Sequence, residues 1–345
     1  MTSILHEEIY EQPGVIQRLL EREGASVEKD TAALRGSFDS ILIAARGTSD
    51  NAARYAQYLF GAHNRLPVGL ATPSLFTLYN QPPRLKRMLV IGISQSGQSP
   101  DIVAVLAEAR RQGQPTLAIT NDSTSPLAKA ASSAIILHAG PEKAVAATKT
   151  YTASLAALAL FSVALEEDHQ RLEQLRRIPP LMQETLEGMV PLLERVERYR
   201  YMDHCAVIGR GYNYATAFEF ALKIKELTGV VAEPYSSADF RHGPIAIVKN
   251  NFPVIAIAPS GETASDLASL VDRLIELKSE LILVSDRPDM LKRGEIALPI
   301  PAGVAEWLSP LLTILPGQVF AMTLTTVKRL DPDHPEGLTK VTETF

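Results

Sequence analysis

The amino-acid sequence predicts an α/β protein built from two tandem, doubly wound α/β/α sandwich domains with parallel sheets. Apolar runs of strand length alternate with helical patterns along the chain, which is the pattern of successive βαβ units. The runs are continuously apolar, as expected for strands of a parallel sheet that is covered on both faces. The same order of patterns then occurs a second time, so we expect two copies of one fold unit.

In the first half, four strand-like runs are each followed by a helical pattern. The runs are SILIAARG, MLVIGISQSG, TLAITND and AIILHAG. The helical patterns that follow them are TSDNAARYAQYLFGAHN, SPDIVAVLAEARRQG, SPLAKAASS and a long segment rich in Ala and Leu. Strands that alternate with helices in this way predict a parallel sheet.

The second half repeats this order and predicts a tandem duplication. Its strand-like runs are HCAVIGRG, FPVIAIAPSG and LILVSDR, and its helical patterns are YNYATAFEFALKIKELTG and ETASDLASLVDRLIELK. Three pairs of strand-end residues are separated by 164 positions, namely Gly47 and Gly211, Gly97 and Gly261, and Asp122 and Asp286. The Pro-containing segment RRIPPLMQ lies between the halves, so we expect one domain over residues 1–180 and another over 181–345.

Composition argues against several classes of partner and compartment. A net charge of −5 disfavours binding to nucleic acid or to an anionic membrane. The single cysteine, Cys205, allows no intrachain disulfide and lies in an apolar run, so we expect a buried structural thiol and a cytoplasmic protein. Residues 150–165 are uncharged but fall short of the ~20 residues that span a bilayer. The N-terminus lacks the positive charge of a signal peptide.

A loop rich in serine, residues Ser94–Ser99, separates a strand-like run from a helical pattern, and we call it the serine loop. Ser99 is predicted as a helix N-cap, followed by Pro100 in the first helical position and Asp101 in the first turn. The loop hydroxyls and the Gln95 amide would add neutral donors to a helix N-terminus, which suits a phosphate dianion. A capped turn with solvated serines is the plainer alternative.

A second loop with hydroxyl groups, Gly47-Thr48-Ser49, follows the first strand and opens another helical pattern. In open α/β sheets, ligands bind at the carboxyl ends of the strands, so both loops and Thr148 are expected to converge on one crevice. The second-half copy of the serine loop, APSGETASD, keeps the glycine but loses the glutamine and one serine. We therefore expect the first half to bind the phosphate.

These motifs resemble a known family. GTS, ISQSGQSPD and VAATKT are similar to the signatures of the sugar-isomerase (SIS) domain. GRGYNYATAFEFALKIKEL, AEPYSSADFRHGPIAIV and the tail GLTKVTETF resemble the second half of the isomerase portion of glutamine–fructose-6-phosphate aminotransferase. The resemblance covers nearly the whole chain and implies an enzyme that acts on a phosphosugar. It places the phosphate and sugar contacts at Thr48, Ser49, Ser94, Gln95, Ser96, Ser99, Val145 and Ala147.

Two departures from those synthases shift the expected activity. The synthases carry an N-terminal glutaminase domain with a terminal cysteine nucleophile, whereas this chain begins Met1-Thr2 and has its only cysteine at position 205. We therefore expect no glutamine hydrolysis by that chemistry. Arg46 stands where the synthases usually carry a cysteine before the Gly-Thr-Ser motif. With SGQSPD and the KVTET tail, the chain is more similar to the glutaminase-free glucosamine-6-phosphate deaminases of the SIS type.

The resemblance implies catalytic roles for Lys223, Glu226, His242 and Lys340, with Glu219 in support. In the family, the equivalent of Lys340 forms a Schiff base with the ketose. The equivalent of His242 comes from the neighbouring subunit, which implies a homodimer. Glu219, Lys223 and Glu226 are spaced i, i+4 and i+7 and so share one helix face, although a solvated ladder of ion pairs has the same spacing.

Each implied role fits the chemistry of its side chain. A carboxylate such as Glu226 can move a proton between C2 and C1 of a sugar, and a histidine with an ordinary pKa of about 6.5 can open the ring. Lys340 must react as a neutral amine, so its pKa has to fall from an ordinary value of about 10.4. From the residues alone, His242 could equally be a turn histidine, and the tail that carries Lys340 could be a loose surface segment.

We expect no metal and no cofactor. GRGYNYA and ARGTSDNA each lack the third glycine of a dinucleotide-binding motif. The remaining histidines show no metal-ligand spacing. The expected reaction converts glucosamine 6-phosphate to fructose 6-phosphate and ammonia. The alternatives are an ammonia-dependent glucosamine-6-phosphate synthase, a fructosamine-phosphate deglycase, or a non-catalytic phosphosugar sensor, which would need the serine loop but not the catalytic residues.

Overall fold

The computed structural model describes residues 3–189 and 193–340. That part of the chain contains two five-stranded sheets in which neighbouring strands are parallel. The first sheet contains β1 (Ser40–Ala44), β2 (Val68–Leu70), β3 (Met88–Ile93), β4 (Thr116–Thr120) and β5 (Ser133–Ile136), in the order β2-β1-β3-β4-β5. The second contains β6 (His204–Gly209), β7 (Val231–Ser236), β8 (Pro253–Ile257), β9 (Glu280–Ser285) and β10 (Ile296–Pro299), in the order β7-β6-β8-β9-β10. The two orders are equivalent, which confirms the predicted pair of doubly wound sheets.

Helices connect the strands in both halves. Those up to residue 189 are α1 (Ile4–Tyr10), α2 (Gln12–Leu34), α3 (Gly47–His63), α4 (Ser74–Thr77), α5 (Pro100–Arg111), α6 (Pro126–Ala130), α7 (Lys149–Glu166), α8 (His169–Arg176) and α9 (Ile178–Glu187). Those after residue 192 are α10 (Leu193–Val196), α11 (Asn213–Thr228), α12 (Ser237–Arg241), α13 (Ala264–Glu276), α14 (Pro288–Leu291) and α15 (Pro310–Val327). Short 3-10 turns lie at Glu197–Tyr199, Pro244–Ile247 and Glu306–Leu308.

The chain divides into two compact units, each built around one sheet. The first unit comprises Gly14–Glu142, Lys149–Arg177 and the C-terminal segment from Thr339. The second comprises the N-terminal segment up to Pro13, Lys143–Thr148 and Ile178–Leu338. The RRIPPLMQ segment spans the end of α8 and the start of α9. Its two prolines lie in the first turn of α9, where proline is tolerated because the first backbone N–H groups of a helix need no helical partner. The boundary at residue 180 stays a prediction.

The core of each unit fixes the helix that begins at the carboxyl end of its central strand. In the first unit, α5 packs its apolar face on β3 and β4 through Ile102, Val105 and Leu106. In the second unit, α13 packs in the same way through Leu267, Leu270, Val271 and Leu274. Burial of each such side chain stabilises the fold by about 1.5–3 kcal/mol. The starts of α5 and α13 are therefore held firmly against their sheets.

Three strands were absent from the sequence-based prediction, and each lies at a sheet edge. These strands are β2, β7 and β10. β2 has only three residues, and β7 carries a glutamate and a proline, which an edge strand tolerates because one side of its backbone forms no sheet hydrogen bonds. Apolar runs mark buried central strands, so these short or polar edges gave no signal.

The prediction on apolar segments needs one correction. Among the described residues, one helical segment, Glu306–Val327, is long and apolar enough to cross a membrane, and 89% of its apolar window is buried. Its uncharged run, residues 307–327, is longer than residues 150–165, so the segment to compare with a bilayer span is this one. Within the second unit, α15 packs against α11, so it is a core helix. Cys205 is buried as predicted, and burial raises the pKa of its thiol to about 12.

Candidate active site

The serine loop and the loop after β1 lie side by side at the carboxyl edge of the first sheet. β1 and β3 are hydrogen-bonded neighbours, with Ala44 opposite Gly92 at their ends. The chain leaves β1 toward β2 on one side and reaches β3 on the other, so the strand order reverses between β1 and β3. Ligands of doubly wound sheets bind at this reversal point. The two predicted loops are therefore placed together by the fold.

The predicted start of α5 is confirmed, with one difference in the capping serine. Ser99 is the N-cap, Pro100 is the first helical residue and Asp101 lies in the first turn. Among the described residues, the Ser99 hydroxyl caps no helix N–H, and it lies 3.4 Å from Ser94 Oγ instead. Ser94 is buried, whereas Gln95, Ser96 and Ser99 are half-buried. The hydroxyls thus form a partly accessible cluster at the helix N-terminus.

The turn between β4 and α6 fixes the backbone of the serine loop. Gly97 has a φ of +63°, and a Cβ at this position would overlap the side chain of Ser125. The Gln95 carbonyl accepts a hydrogen bond of 3.0 Å from the Asn121 backbone N–H. Only glycine meets both demands at position 97, a left-handed backbone and a close neighbour. The shape of the loop is therefore set before any ligand binds.

Arg46 joins the two loops. Its Nε and Nη2 atoms each lie 2.8 Å from Asp101 Oδ2, and the carboxylate of Asp101 is fully buried. Arg46 is also the N-cap residue of α3, so Thr48 and Ser49 lie half-buried in the first turn that follows. From the sequence alone, Arg46 is only a departure from the synthases. In the structure it places one cation at the junction of the two loops.

Val145 and Ala147 belong to a segment that is grouped with the second unit. Both are half-buried and alternate with buried alanines. The carboxylate of Glu8 in α1 accepts hydrogen bonds from the backbone N–H groups of Lys143 (2.5 Å) and Ala144 (3.2 Å). Glu8 was not predicted, because an acidic residue in an N-terminal helix is usually solvated.

In the group on α11, Glu219 and Lys223 are buried and Glu226 is half-buried. Lys223 Nζ lies 3.3 Å from Glu219 Oε1 and 2.5 Å from Glu226 Oε2. The side chains of Glu219 and Lys223 are 0% and 1% exposed, and that of Glu226 is 24% exposed. The alternative of a solvated ladder is therefore wrong. A buried ammonium between two carboxylates needs this pairing, because an unpaired buried charge is strongly destabilising.

His242 is the C-cap residue of α12 and is exposed. Its backbone N–H donates a hydrogen bond of 3.0 Å to the Asp239 carbonyl. Within residues 3–189 and 193–340, no hydrogen bond or ion pair joins the His242 ring to the Lys223 group. A role for this histidine in the reaction stays a prediction.

Lys340 is tied to the first unit by a carboxylate that the sequence analysis missed. Lys340 Nζ lies 2.9 Å from Glu142 Oε2, and the Glu142 side chain is fully buried. The Thr150 backbone N–H donates a hydrogen bond of 3.1 Å to Glu142 Oε1, and the Thr150 hydroxyl donates one of 2.8 Å to Glu142 Oε2. Glu142 could have been predicted from its place in the sequence, because it follows β5 and precedes the VAATKT motif, and ligands of such sheets bind at strand ends.

The tail that carries Lys340 is ordered by specific contacts in each unit. In the second unit, the Asp333 carboxylate accepts hydrogen bonds from the backbone N–H groups of Ile4 (2.9 Å) and Leu5 (2.8 Å), so it caps the start of α1. In the first unit, Lys340 pairs with Glu142. The alternative of a loose tail is therefore wrong as far as Lys340. The predicted motif residues 341–345 lie outside the described residues.

These features define a class of protein before any relative is considered. The chain has two doubly wound sheets, one hydroxyl-rich loop pair suited to an anionic small molecule, and two lysine–carboxylate groups that each include a buried carboxylate. In the described part of the chain, no cluster of three or more His, Cys, Asp or Glu side chains is arranged to hold a metal. The class is a two-domain α/β protein with a hydroxyl-rich loop pair at a strand-order reversal, where ligands of such sheets bind.

The family model described as the SIS domain matches residues 37–164 and 200–327, one match for each sheet. The chain therefore belongs to the SIS domain family. The two matches also agree with the predicted duplication. Each begins just before the first strand of its half and ends within a buried helix.

Three relatives place the chain within this family. It is 33% identical over 349 residues to a glutamine–fructose-6-phosphate aminotransferase of Thermus thermophilus, with 96% of this chain and 57% of that protein covered. A candidate phosphosugar isomerase of Silicibacter pomeroyi is 32% identical, with a TM-score of 0.88 over 96% of this chain and 100% of the other. A glucosamine-6-phosphate deaminase of Thermotoga maritima, at 21% identity and a TM-score of 0.82 over 99% and 100% of the two chains, shares the fold.

The chain spans about half the length of the curated aminotransferases that it matches. These relatives are named as enzymes, and the comparisons identify this chain as an enzyme of the SIS domain family.

Proposed function

We propose that this protein is a phosphosugar isomerase that releases ammonia from an amino-sugar phosphate, converting glucosamine 6-phosphate to fructose 6-phosphate. One observation carries the proposal. Lys340, the residue suited to amine exchange, is held by Glu142 in the same compact unit as the serine loop, which is suited to the phosphate. A sensor would need only the loop. Amine release needs a nucleophile as well.

The serine loop and the loop after β1 bind the phosphate in this proposal. The donors are the hydroxyls of Thr48, Ser49, Ser94, Ser96 and Ser99 and the amide of Gln95. Neutral donors at helix N-termini stabilise a dianion through hydrogen bonds and the helix dipole. Val145 and Ala147 contact the sugar.

Ring opening and isomerisation both depend on proton transfer. His242, contributed by the partner subunit of a homodimer, moves a proton from the sugar hydroxyl to the ring oxygen and opens the ring. Glu226 then removes the proton from C2 and returns it to C1, while a proton passes from the C2 amino group to the C1 oxygen, so the open-chain amino-aldose becomes a ketose imine at C2 with a hydroxyl on C1. Lys223 holds Glu226 in place at 2.5 Å, and Glu219 holds Lys223.

Amine exchange then releases ammonia. The neutral amine of Lys340 attacks C2 of the imine, the new C–N bond forms, and the original C–N bond breaks with loss of ammonia. Glu142 accepts the proton that Lys340 must lose before it attacks. Water finally adds to C2 of the Lys340 imine, and fructose 6-phosphate leaves as the free amine is restored. No metal or cofactor takes part in this scheme.

The proposal includes three further statements. The protein acts as a cytoplasmic homodimer, its domains divide near residue 180, and its substrate is an amino-sugar phosphate. Size-exclusion chromatography with light scattering measures whether the protein is a dimer. A substrate panel separates the deaminase from the two alternatives. Turnover of fructose 6-phosphate plus ammonia would indicate a synthase, and turnover of fructosamine 6-phosphates would indicate a deglycase.

Ammonia release from glucosamine 6-phosphate by the full chain tests the proposal. The Lys340→Arg variant keeps a cation beside Glu142 but cannot form an imine, so we expect it to lose activity by at least about 100-fold. Borohydride added during turnover should reduce the imine and attach the hexitol phosphate to Lys340, as mass spectrometry of peptides would show. A K340R variant with wild-type activity, or a borohydride adduct on another lysine, contradicts the scheme.

A further inference from the structure

The loop after β8, residues 258–263, occupies the same place in the second sheet as the serine loop does in the first. β8 lies beside β6, as β3 lies beside β1, and α13 begins directly after the loop. Ser260 and Gly261 lie 164 positions after Ser96 and Gly97. The duplication therefore copied the cradle of the serine loop, and we call residues 258–263 the duplicate loop.

In the duplicate loop, a carboxylate of the chain itself already lies against the donors. Glu306 Oε2 accepts a hydrogen bond of 2.7 Å from the Glu262 backbone N–H. Glu306 Oε1 accepts from Thr263 Oγ1 at 2.8 Å and from the Thr263 backbone N–H at 3.4 Å. Glu306 comes from the 3-10 turn before α15, more than forty residues further along the chain. An anion is thus bound by two backbone N–H groups and one hydroxyl.

The fit of this carboxylate depends on backbone without a side chain. Gly261 has a φ of +143°, and a Cβ at this position would overlap the carboxyl group of Glu306. A Cβ on Gly211, in the loop after β6, would lie 3.1 Å from Thr263 Cγ2 and 4.0 Å from Glu306 Oε1. Gly211 is the counterpart of Gly47. The Glu306 carboxylate therefore lies close to the duplicate loop and to the loop after β6, at the point where the strand order of the second sheet reverses.

We infer that the duplicate loop is an anion site of the same kind as the serine loop and that Glu306 fills it as a built-in ligand. It takes a phosphate group once the carboxylate is removed. The inference deepens the proposed function, because it assumes that the serine loop binds phosphate, and it explains why one chain would use only one of two loops. A carboxylate suits such a site because main-chain N–H groups at a helix start bind any compact anion.

Titration calorimetry of the full chain with inorganic phosphate tests the inference. The Glu306→Ala variant empties the duplicate loop, and we expect it to bind one more phosphate per chain than the wild type. The Glu262→Ala variant is the matched control. It also removes one carboxylate beside the duplicate loop, but the donor at position 262 is a backbone N–H that remains, so the phosphate stoichiometry of this variant should equal that of the wild type.

A second measurement covers the case in which the Glu306→Ala variant is too unstable for titration. Phosphate that binds only the folded state raises the melting temperature. We expect added phosphate to raise the melting temperature of E306A by more than that of the wild type or of E262A. Equal stoichiometry or equal melting shifts in E306A and wild type would overturn the inference.

The design separates this inference from the proposed function. In the Ser96→Ala, Glu306→Ala double variant, the phosphate bound by the duplicate loop should remain while binding at the serine loop weakens. If the wild type binds no phosphate and E306A binds one, the inference stands and the role of the serine loop is wrong. If the wild type binds one phosphate and E306A also binds one, the serine loop stands and the inference is wrong.

Discussion

The serine loop and the duplicate loop share their place in the fold and differ in what occupies them. In the first, the hydroxyls of Ser94 and Ser99 lie 3.4 Å apart in a partly accessible cluster. In the second, the Glu306 carboxylate accepts from Glu262 and Thr263. Both loops use a glycine with positive φ at matched positions. In our proposal, the backbone forms the anion site in both loops, whereas side chains decide whether a ligand from solution can enter it.

The largest expected difference between the loops comes from substituting their glycines. Gly97→Ala should overlap Ser125, distort the serine loop and lower phosphosugar affinity at least about tenfold. Its free energy of unfolding should fall by about 1–3 kcal/mol, because a strained backbone is added. Gly261→Ala should destabilise by a similar amount, since its Cβ meets Glu306, but leave phosphosugar affinity unchanged. Binding titrations and denaturant melts measure both.

Gly113→Ala is the control for backbone strain alone. Gly113 has a φ of +73°, and a Cβ there meets no atom within 4 Å in the described structure. We expect a loss of about 1–2 kcal/mol in unfolding free energy with unchanged affinity. If G97A and G261A lower phosphosugar affinity equally, the assignment of the two loops is wrong.

A second prediction concerns the carboxylate that holds Lys340. Glu142→Gln keeps the shape of the side chain but removes the charge that accepts the Lys340 proton. We expect kcat to fall by about 100-fold with a much smaller change in KM, because general acid–base groups contribute about 10²–10⁴ in rate. Steady-state kinetics on glucosamine 6-phosphate measure the split.

Glu167→Gln is the matched control in the same unit. Glu167 pairs with Arg35 on the surface and is 66% exposed. Exposed ion pairs contribute about 0–1 kcal/mol, so kcat and KM should remain at wild-type values. A Glu142→Gln variant that keeps the wild-type kcat would remove Glu142 from the scheme.

The smallest expected difference between the halves is a dependence of stability on pH. His63 ends α3, and burial, followed by the charge of Arg171, lowers its pKa to about 4. The unfolded chain binds a proton at this histidine below about pH 6.5, whereas the folded chain does not until about pH 4. The contribution of His63 to stability is therefore complete above pH 6.5 and is lost progressively as the pH falls toward 4.

The matching position in α11, 164 residues further along, is Leu227, which is buried and does not titrate. The His63→Leu variant should therefore lose less stability than the wild type when denaturant melts at pH 7 and pH 5 are compared. The difference should be modest, since His63 is only half-buried and solvent screens its charge. If both proteins lose the same unfolding free energy between pH 7 and pH 5, His63 does not cause the pH dependence of stability.

The central strands, the edge strand β5 and the helix starts could be predicted from the sequence, whereas the edge strands β2, β7 and β10 could not. A continuously apolar run such as residues 88–93 marks a strand buried on both faces. The edge strands β2 and β7 are short or polar, so their pairing depends on neighbours that local sequence does not describe. The Ser99–Pro100–Asp101 helix start followed from local chemistry, because proline suits the first helical position and an aspartate suits the first turn.

For the candidate site, residues in motifs were predictable and their distant partners were not. Ser94 and Lys223 stand in recognisable motifs, whereas Glu142 and Glu306 act through contacts with residues 198 and 44 positions away, respectively. Burial also changed an interpretation. The i, i+4, i+7 spacing of the α11 group fits a surface ladder, and only the packing of α11 against β6, β7 and α15 makes it a buried ion group.

A crystal structure of the full chain with bound fructose 6-phosphate tests the central claim most directly. We expect the phosphate oxygens within about 3.2 Å of donors in the serine loop, with the Glu306 carboxylate still bound to the duplicate loop. A phosphate group seated elsewhere, with the donors of residues 94–99 left to solvent, would contradict the account.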